Sequence, residues 1–220
     1  MKHIFFSVLT TLAFSSCSEP APAPKNQLHC YMRYDAAGRK TKAEAYLRDG
    51  ATQNIIDLPN GISFQSTPMK PLPVRGITYN AEYAASFIAE PYFEWKDKAG
   101  KITRYSFKAP AVDSFYFDPA PLSVKKATQL RWIGQPLIKG ETIVFMWENK
   151  TSGETQPMEV SSSLGISLIE IPAAKLGQLG PGEWSLYLVR KRLVKAEAGD
   201  YLVDCVSEYY SKPAIVKIGE

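Results

Sequence analysis

The sequence predicts an all-β protein of two tandem β-sandwich domains, and three observations predict it. From Leu28 onward, short segments with alternating apolar and polar residues, rich in Tyr, Phe, Ile, Val and Thr, recur between turn residues. The segment Asp118–Pro121 places two prolines in four residues and interrupts this pattern near the middle of the chain. The composition, 45% hydrophobic and 22% charged over 220 residues, is that of a globular protein. We therefore expect one sandwich over residues 28–118 and a second over residues 119–220.

The clearest element of the first half is a hairpin. Tyr92–Asp97 and Lys101–Lys108 alternate in polarity, and Gly100 lies in the turn between them. Phe93 and Trp95 lie on the same face of the first strand. This face is predicted to lie in the core.

A second hairpin is predicted from Cys30–Asp35 and Thr41–Arg48, which flank a short turn. The segment Asn80–Ala89 leaves two interpretations open. It fits a strand, and it also fits a short helix capped by Asn80 with Tyr83 and Phe87 on one face.

The second half contains six or seven strand-like segments, the number expected of a small β-sandwich. They are Gln129–Trp132, Glu141–Trp147, Gly165–Ile171, Glu183–Arg190, Asp200–Tyr209 and Ala214–Ile218.

One connection in the second half has a more specific pattern. Ile171–Leu176 is followed by the glycine- and proline-containing turn Leu179–Gly182 and by the alternating segment Trp184–Leu188. This pattern resembles the corner between strands E and F of immunoglobulin-like and fibronectin-type domains, with Trp184 where that family has tyrosine. The resemblance implies an immunoglobulin-like second domain. Alternation places Trp184, Leu186 and Leu188 inward, and Arg190 and Arg192 continue the same face beyond the core.

The N-terminus has the features of a secretory signal. Lys2 precedes the apolar run Ile4–Phe14, which is shorter than the roughly 20 residues that span a bilayer. The following Phe14-Ser15-Ser16-Cys17 resembles the lipobox of bacterial lipoproteins. That resemblance implies removal of residues 1–16 and acylation of Cys17. The alternative is cleavage by an ordinary signal peptidase, with Cys17 there by coincidence.

Residues 17–27 follow as a lipidated cysteine and a flexible tether. The segment Ser18–Gln27 is rich in proline and alanine and shows no apolar periodicity. Two or more acyl chains on Cys17 would hold the protein stably at a membrane surface. We therefore expect a lipid-anchored protein of the bacterial cell envelope. The outer membrane is favoured, and the inner membrane and the side of the membrane on which the protein lies are left open.

With Cys17 acylated, Cys30 and Cys205 remain as a pair in an oxidising compartment. A disulfide between them is predicted, and it would join the first strand of the body to a strand near its end. The alternative is two free buried thiols that never meet.

The sequence offers little material for several kinds of chemistry. It contains two histidines, of which His3 lies in the signal, so sites built on several histidines are excluded from the body. No phosphate-binding glycine motif or EF-hand-like calcium loop is present. A net charge of +4 is too small to suggest nucleic-acid binding. We predict no catalytic residues, no metal and no cofactor.

Aromatic richness is the one positive indication of ligand binding. The chain has 4 Trp, 12 Tyr and 10 Phe, and exposed aromatic rings can stack on sugars or bury large areas against a partner. Tyr209, Tyr210, Tyr116 and Trp132 are the residues we expect to be exposed and to bind a ligand.

The predicted function is that of a non-catalytic envelope lipoprotein that acts as an interaction or structural module at a membrane surface. A carbohydrate-binding surface lipoprotein is one alternative. The other, less favoured, is a glycosidase that uses two carboxylates, although nothing in the sequence selects a pair of acids. The partner, an envelope protein or a glycan, is not identified by the sequence.

Overall fold

A computed structural model describes residues 24–73, 77–97, 99–160 and 165–220. The predicted signal peptide and Cys17 lie outside these residues. The described chain is mostly β-strand with one short helix. The elements in chain order are β1 (Gln27–Asp35), β2 (Lys40–Arg48), β3 (Ile55–Ile56), β4 (Ile62–Phe64), β5 (Thr67–Pro68), β6 (Lys70–Pro73), β7 (Ile77–Ala84), β8 (Tyr92–Lys96), β9 (Ile102–Ser106), β10 (Ser114–Asp118), β11 (Leu122–Ser123), β12 (Thr128–Ile133), β13 (Glu141–Asn149), β14 (Thr155–Val160), β15 (Leu168–Ile171), α1 (Ala173–Leu179), β16 (Gly182–Ala198), β17 (Tyr201–Tyr210) and β18 (Ala214–Gly219).

The strands form one large sheet and two small ones. The main path of the large sheet runs β11-β18-β16-β17-β1-β2-β7-β6, with β13 and β14 added beside β16 and β3 beside β2. A four-stranded sheet has the order β5-β4-β8-β9, and a three-stranded sheet has the order β10-β12-β15.

Aromatic side chains pack the small sheets onto the large one, as in a β-sandwich. Trp95 of the four-stranded sheet lies 6.0 Å, between ring centroids, from Tyr201 of the large sheet. Phe117 of the three-stranded sheet lies 6.0 Å from Trp147 of the large sheet. These rings belong to one contiguous core of buried residues. The prediction of an all-β sandwich protein is confirmed.

Strand β16 belongs to both halves of the molecule. Its first part pairs with β18 and β13, and Val189–Ala198 pairs with β17. Strand β17 in turn lies parallel to β1, the first strand of the body. Hydrogen bonding therefore runs from the C-terminal strands into the first half, and the predicted division into two consecutive domains at residue 118 is not confirmed.

The two predicted hairpins of the first half are present as β8–β9 and β1–β2. Phe93 and Trp95 are buried, as their shared face predicted. The ambiguous segment beginning at Asn80 lies partly in β7, which pairs with β2 and β6, so its first part is strand rather than helix. Pairing with β2 along Asn80–Ala84, and also with β6 at Asn80, decides between the two interpretations.

The connection that resembles an immunoglobulin-like corner contains helix α1 followed directly by β16. Trp184, Leu186 and Leu188 are buried, as predicted. Arg190 was expected to lie beyond the core, and this is wrong, because its residue surface is 1% exposed. Its guanidinium is enclosed by the backbone carbonyls of Ala111, Gln135 and Pro136 and by the carboxylate of Glu141.

No helix within the described residues has the length and apolar character needed to cross a membrane.

Candidate interaction surfaces

The outward side of the large sheet carries a broad, mostly polar face across β2, β1, β17 and β16, here called the outer sheet face. Alternation along these strands sends every second side chain into the core and the others onto this face. A hollow of about 500 Å³ lies on it. The residues that line it include His29, Tyr31, Tyr46, Asp204 and Glu208.

Glu208 is the centre of a hydrogen-bonded group on this face. Its carboxylate accepts hydrogen bonds from the hydroxyls of Tyr31 at 2.8 Å and Tyr210 at 3.1 Å. Burial, followed by the bond to Glu208, raises the pKa of Tyr31 far above its ordinary value. The pKa of Tyr210 is raised by burial, then by the charge of Glu208 and by the hydrogen bond to it. Both tyrosines therefore act here as neutral hydrogen-bond donors.

The aromatic rings of the outer sheet face are already packed by neighbouring side chains. The ring of Tyr46 stacks on His29 at 4.6 Å, and the guanidinium of Arg48 lies 5.4 Å from its centroid. Tyr210 has the guanidinium of Arg33 at 4.8 Å and a second tyrosine ring at 6.1 Å. A sugar would have to displace these contacts in order to stack on either ring.

His29 lies beside Asp204 on the outer sheet face without a hydrogen bond between them. Burial lowers its pKa, and the neighbouring Asp204 carboxylate partly offsets this effect. The distance from His29 Nδ1 to Asp204 Oδ2 is 3.8 Å, too long for a hydrogen bond. Asp204 is shared with Lys195, whose Nζ also lies 3.8 Å away.

A second surface, here called the Tyr116 patch, lies on the outward side of the three-stranded sheet. Tyr116 is 51% exposed and Ile133 is 56% exposed, on the neighbouring strands β10 and β12. Arg131 is the register partner of both Tyr116 and Leu168. Its Nε lies 3.5 Å from a carboxylate oxygen of Asp118. The patch thus combines an aromatic ring, an aliphatic side chain and a paired arginine, a composition common at protein interfaces.

The four aromatic residues predicted to bind a ligand have different surroundings. Trp132 and Tyr209 are 4% and 8% exposed, so the expectation that they are exposed is wrong. Both lie on the inward side of strands whose other side meets solvent. Tyr210 is half-buried on the outer sheet face, and Tyr116 is exposed on the other sheet. The structure therefore does not bring the four together into one platform.

Cys30 and Cys205 are direct neighbours across the parallel pair β1–β17. Both are buried and both are free thiols in the structure. Burial raises the pKa of each thiol well above its ordinary value. The two cysteines are therefore neighbours, as expected, but no disulfide joins them in the structure.

Several acidic residues of the first half stabilise turns. Asp35 accepts hydrogen bonds from the backbone N–H groups of the turn after β1, and Asp49 does so after β2. Asp97 accepts one from the backbone N–H of Lys101 across the β8–β9 turn. Within the described residues, no group of three or more His, Cys, Asp or Glu is placed to hold a metal ion.

Sequence reasoning missed the outer sheet face because its residues come from strands far apart in the chain. Tyr31 and Glu208 lie close together only because β1 runs parallel to β17. The available signal was the alternation in both segments, which shows which side chains share a face but not which strands pair.

Comparisons with known proteins give no family for this chain. No protein-family model matches the sequence, and no curated protein matches it significantly. Solved structures with a similar arrangement include the FN1–FN3 domains of chicken CNTN1 (8% identity, TM-score 0.28) and the fibronectin(III)-like modules of Clostridium thermocellum CbhA (12%, 0.27). The alignments cover 90% of this chain in both cases, with 66% of the first structure and 90% of the second. This chain thus spans slightly less than two thirds of the CNTN1 structure. At these TM-scores the similarity carries no argument about function.

Proposed function

We propose that the chain is a non-catalytic, lipid-anchored protein of the bacterial cell envelope whose body binds a partner protein at a membrane surface. The observation that carries the partner-binding part is the Tyr116 patch. Outward positions of a sandwich sheet usually carry polar residues, whereas here Tyr116 and Ile133 are both exposed, in diagonal positions on the same face of β10 and β12. Aromatic and arginine side chains supply most of the binding energy of typical interfaces.

The position of the patch suits a partner held away from the anchor. The chain enters the body at Asn26, whose carbonyl accepts a hydrogen bond from the N–H of Leu202 next to the end of β16. The Tyr116 patch lies near the other end of β16, because Phe117 packs on Trp147, the register partner of Leu186. At about 3.3 Å per residue, Leu186 and Ala198 are about 40 Å apart along the strand.

The anchor and the patch can be tested together by crosslinking in cells. A photo-reactive residue at position 116 is expected to crosslink one protein reproducibly. The same probe at Leu72, also exposed but in the first half, is expected not to do so. Cys17→Ala should remove acyl labelling, release the protein from membranes and abolish the crosslink.

Continued acyl labelling of Cys17→Ala would overturn the anchor. Equal crosslinking from positions 116 and 72 would show that the patch is not a specific surface.

Carbohydrate binding remains a second candidate for the same surface. Tyr116 stands next to Arg131, and Gln129 and Asp118 also carry polar groups on this face. Sugar-binding sites combine an exposed ring with such groups. A Tyr116→Ala variant that loses affinity for an envelope polysaccharide, with no change in protein crosslinks, would favour this alternative.

We also propose that Cys30 and Cys205 form a disulfide in the oxidising envelope. Adjacent strands lie about 4.8 Å apart. Disulfides require Cα atoms roughly 4.4–6.8 Å apart, which a direct register pair satisfies. A bond closing such a long loop could stabilise the fold by roughly 4 to 5 kcal/mol.

The disulfide predicts the alkylation pattern of protein isolated from the envelope. In the Cys17→Ala variant, the denatured protein should take up no alkylating reagent before reduction and two equivalents after it, one for each of Cys30 and Cys205. Uptake of two equivalents without reduction would contradict the bond.

A further inference from the structure

A small polar cleft lies where the β13–β14 hairpin meets helix α1. Its volume is about 190 Å³. The hairpin contributes Trp147, Pro157 and Glu159 to its lining, and the helix contributes Lys175 and Gln178. We call it the hairpin–helix cleft.

Trp147 brings a buried hydrogen-bond donor to this cleft. Its side chain is fully buried, and its indole N–H has no hydrogen-bond partner within the described part of the chain. By contrast, the indole N–H of Trp132 donates to the carbonyl of Gln135 at 3.1 Å. A buried polar group without a partner is destabilising. A hydrogen-bond acceptor bound in the cleft would supply the partner that Trp147 lacks.

The free edge of β14 adds backbone groups of both kinds. Among the described strands, β14 pairs only with β13. The N–H of Asn149 donates to the carbonyl of Glu154, which fixes the alternation of hydrogen bonds between the two strands. In this alternation, the backbone groups of Pro157 and Glu159 point away from β13. The edge therefore offers one N–H, from Glu159, and the carbonyls of both residues.

The helix supplies side chains on the other side of the cleft. Lys175 and Gln178 lie three residues apart in α1, so they share one face of the helix. Both are exposed, which leaves the mouth of the cleft open to solvent. The amide of Gln178 can donate and accept hydrogen bonds.

The charges that line the cleft favour a neutral ligand. An anion would meet Glu159, and a cation would meet Lys175. Hydroxyl groups are neutral and both donate and accept hydrogen bonds, so they match the mixture of groups described above. Pockets for drug-sized ligands have volumes of about 300–1,000 Å³, and this smaller cleft suits one sugar ring.

We propose that the hairpin–helix cleft binds a single neutral sugar ring through its hydroxyl groups. The indole N–H of Trp147 donates to one hydroxyl oxygen, and the amide of Gln178 bonds to another. The site does not depend on the Tyr116 patch, on its partner or on the lipid anchor.

Nuclear magnetic resonance of the indole N–H groups tests this site directly. Isotope-labelled, full-length Cys17→Ala protein is titrated with glucose, galactose, mannose and N-acetylglucosamine, in buffer free of glycoside detergents. At least one sugar should shift the Trp147 signal saturably. The Trp132 signal should not move, because its N–H is already bonded to Gln135. Inorganic phosphate should leave both signals unchanged.

Gln178→Ala should weaken the binding about two- to ten-fold, the loss expected for one hydrogen bond. Gln135→Ala is the matched control, since it removes an exposed glutamine side chain outside the cleft and should not change the affinity. Tyr116→Ala should also leave the affinity unchanged, which separates this site from sugar binding at the Tyr116 patch. Trp147→Phe identifies the Trp147 signal and should abolish binding. If that variant fails to fold, backbone assignment identifies the signal and Gln178→Ala carries the test.

Three results would overturn the proposal. The first is the absence of a saturable Trp147 shift with all four sugars. The second is a Gln178→Ala variant that binds as well as the parent protein. The third is a Trp147 shift produced by phosphate and not by the sugars.

Discussion

Arg190→Met is expected to lower the free energy of unfolding by about 3–5 kcal/mol, the range found when one partner of a buried ion pair is removed. Arg190 forms an ion pair with Glu141, and both side chains are almost completely buried. Its guanidinium also donates to the backbone carbonyls of Ala111, Gln135 and Pro136. The substitution leaves the Glu141 carboxylate and three carbonyls without these donors.

Chemical denaturation of Arg190→Met and of the double variant Arg190→Met/Glu141→Met measures this effect. The double variant should recover part of the loss, because it no longer buries an unpaired charge. Arg104→Met is the control, since Arg104 pairs with Glu94 at the surface and should change stability far less. A loss for Arg190→Met as small as that of the control would contradict this account.

Trp147→Ala is the second prediction with a large effect, again about 3–5 kcal/mol, because it removes a fully buried ring. Trp147 packs edge-on against Trp184 and contacts Phe117 of the opposing sheet. The cavity lies in the second half of the molecule. Since β16 belongs to both halves, we expect the destabilisation to reach the first half as well.

Hydrogen exchange shows whether the two halves unfold together. In Trp147→Ala, the slowest amides of β1 and β2 should lose protection to the same extent as those of β13. Phe93→Ala, a buried-ring substitution in the first half, is the reciprocal control and should affect β13 equally. Loss of protection confined to the mutated half would show two independent domains, as the sequence predicts.

The elements that depend on local pattern were predictable from the residues alone. Alternation and turn residues located the β8–β9 and β1–β2 hairpins, and they placed Phe93, Trp95, Trp184, Leu186 and Leu188 in the core. These predictions succeed because the side-chain period of a strand is two and turn residues mark its ends. The sequence also predicted part of the Tyr116 patch, because it identified Tyr116 as an exposed residue.

Which strands pair, and where each buried face ends, depends on contacts between residues that are distant in the chain. The parallel pairing of β1 with β17 brings Tyr31 to Glu208, and it makes Cys30 and Cys205 neighbours. Arg190 is buried because Ala111, Gln135, Pro136 and Glu141 surround its guanidinium, where an extrapolated face would have reached solvent. The burial of Trp132 and Tyr209 could not be predicted for the same reason. Whether a strand face is buried depends on which layer of the fold covers it. Strand pairing joins residues that are distant in the chain, and local pattern carries no information about that choice.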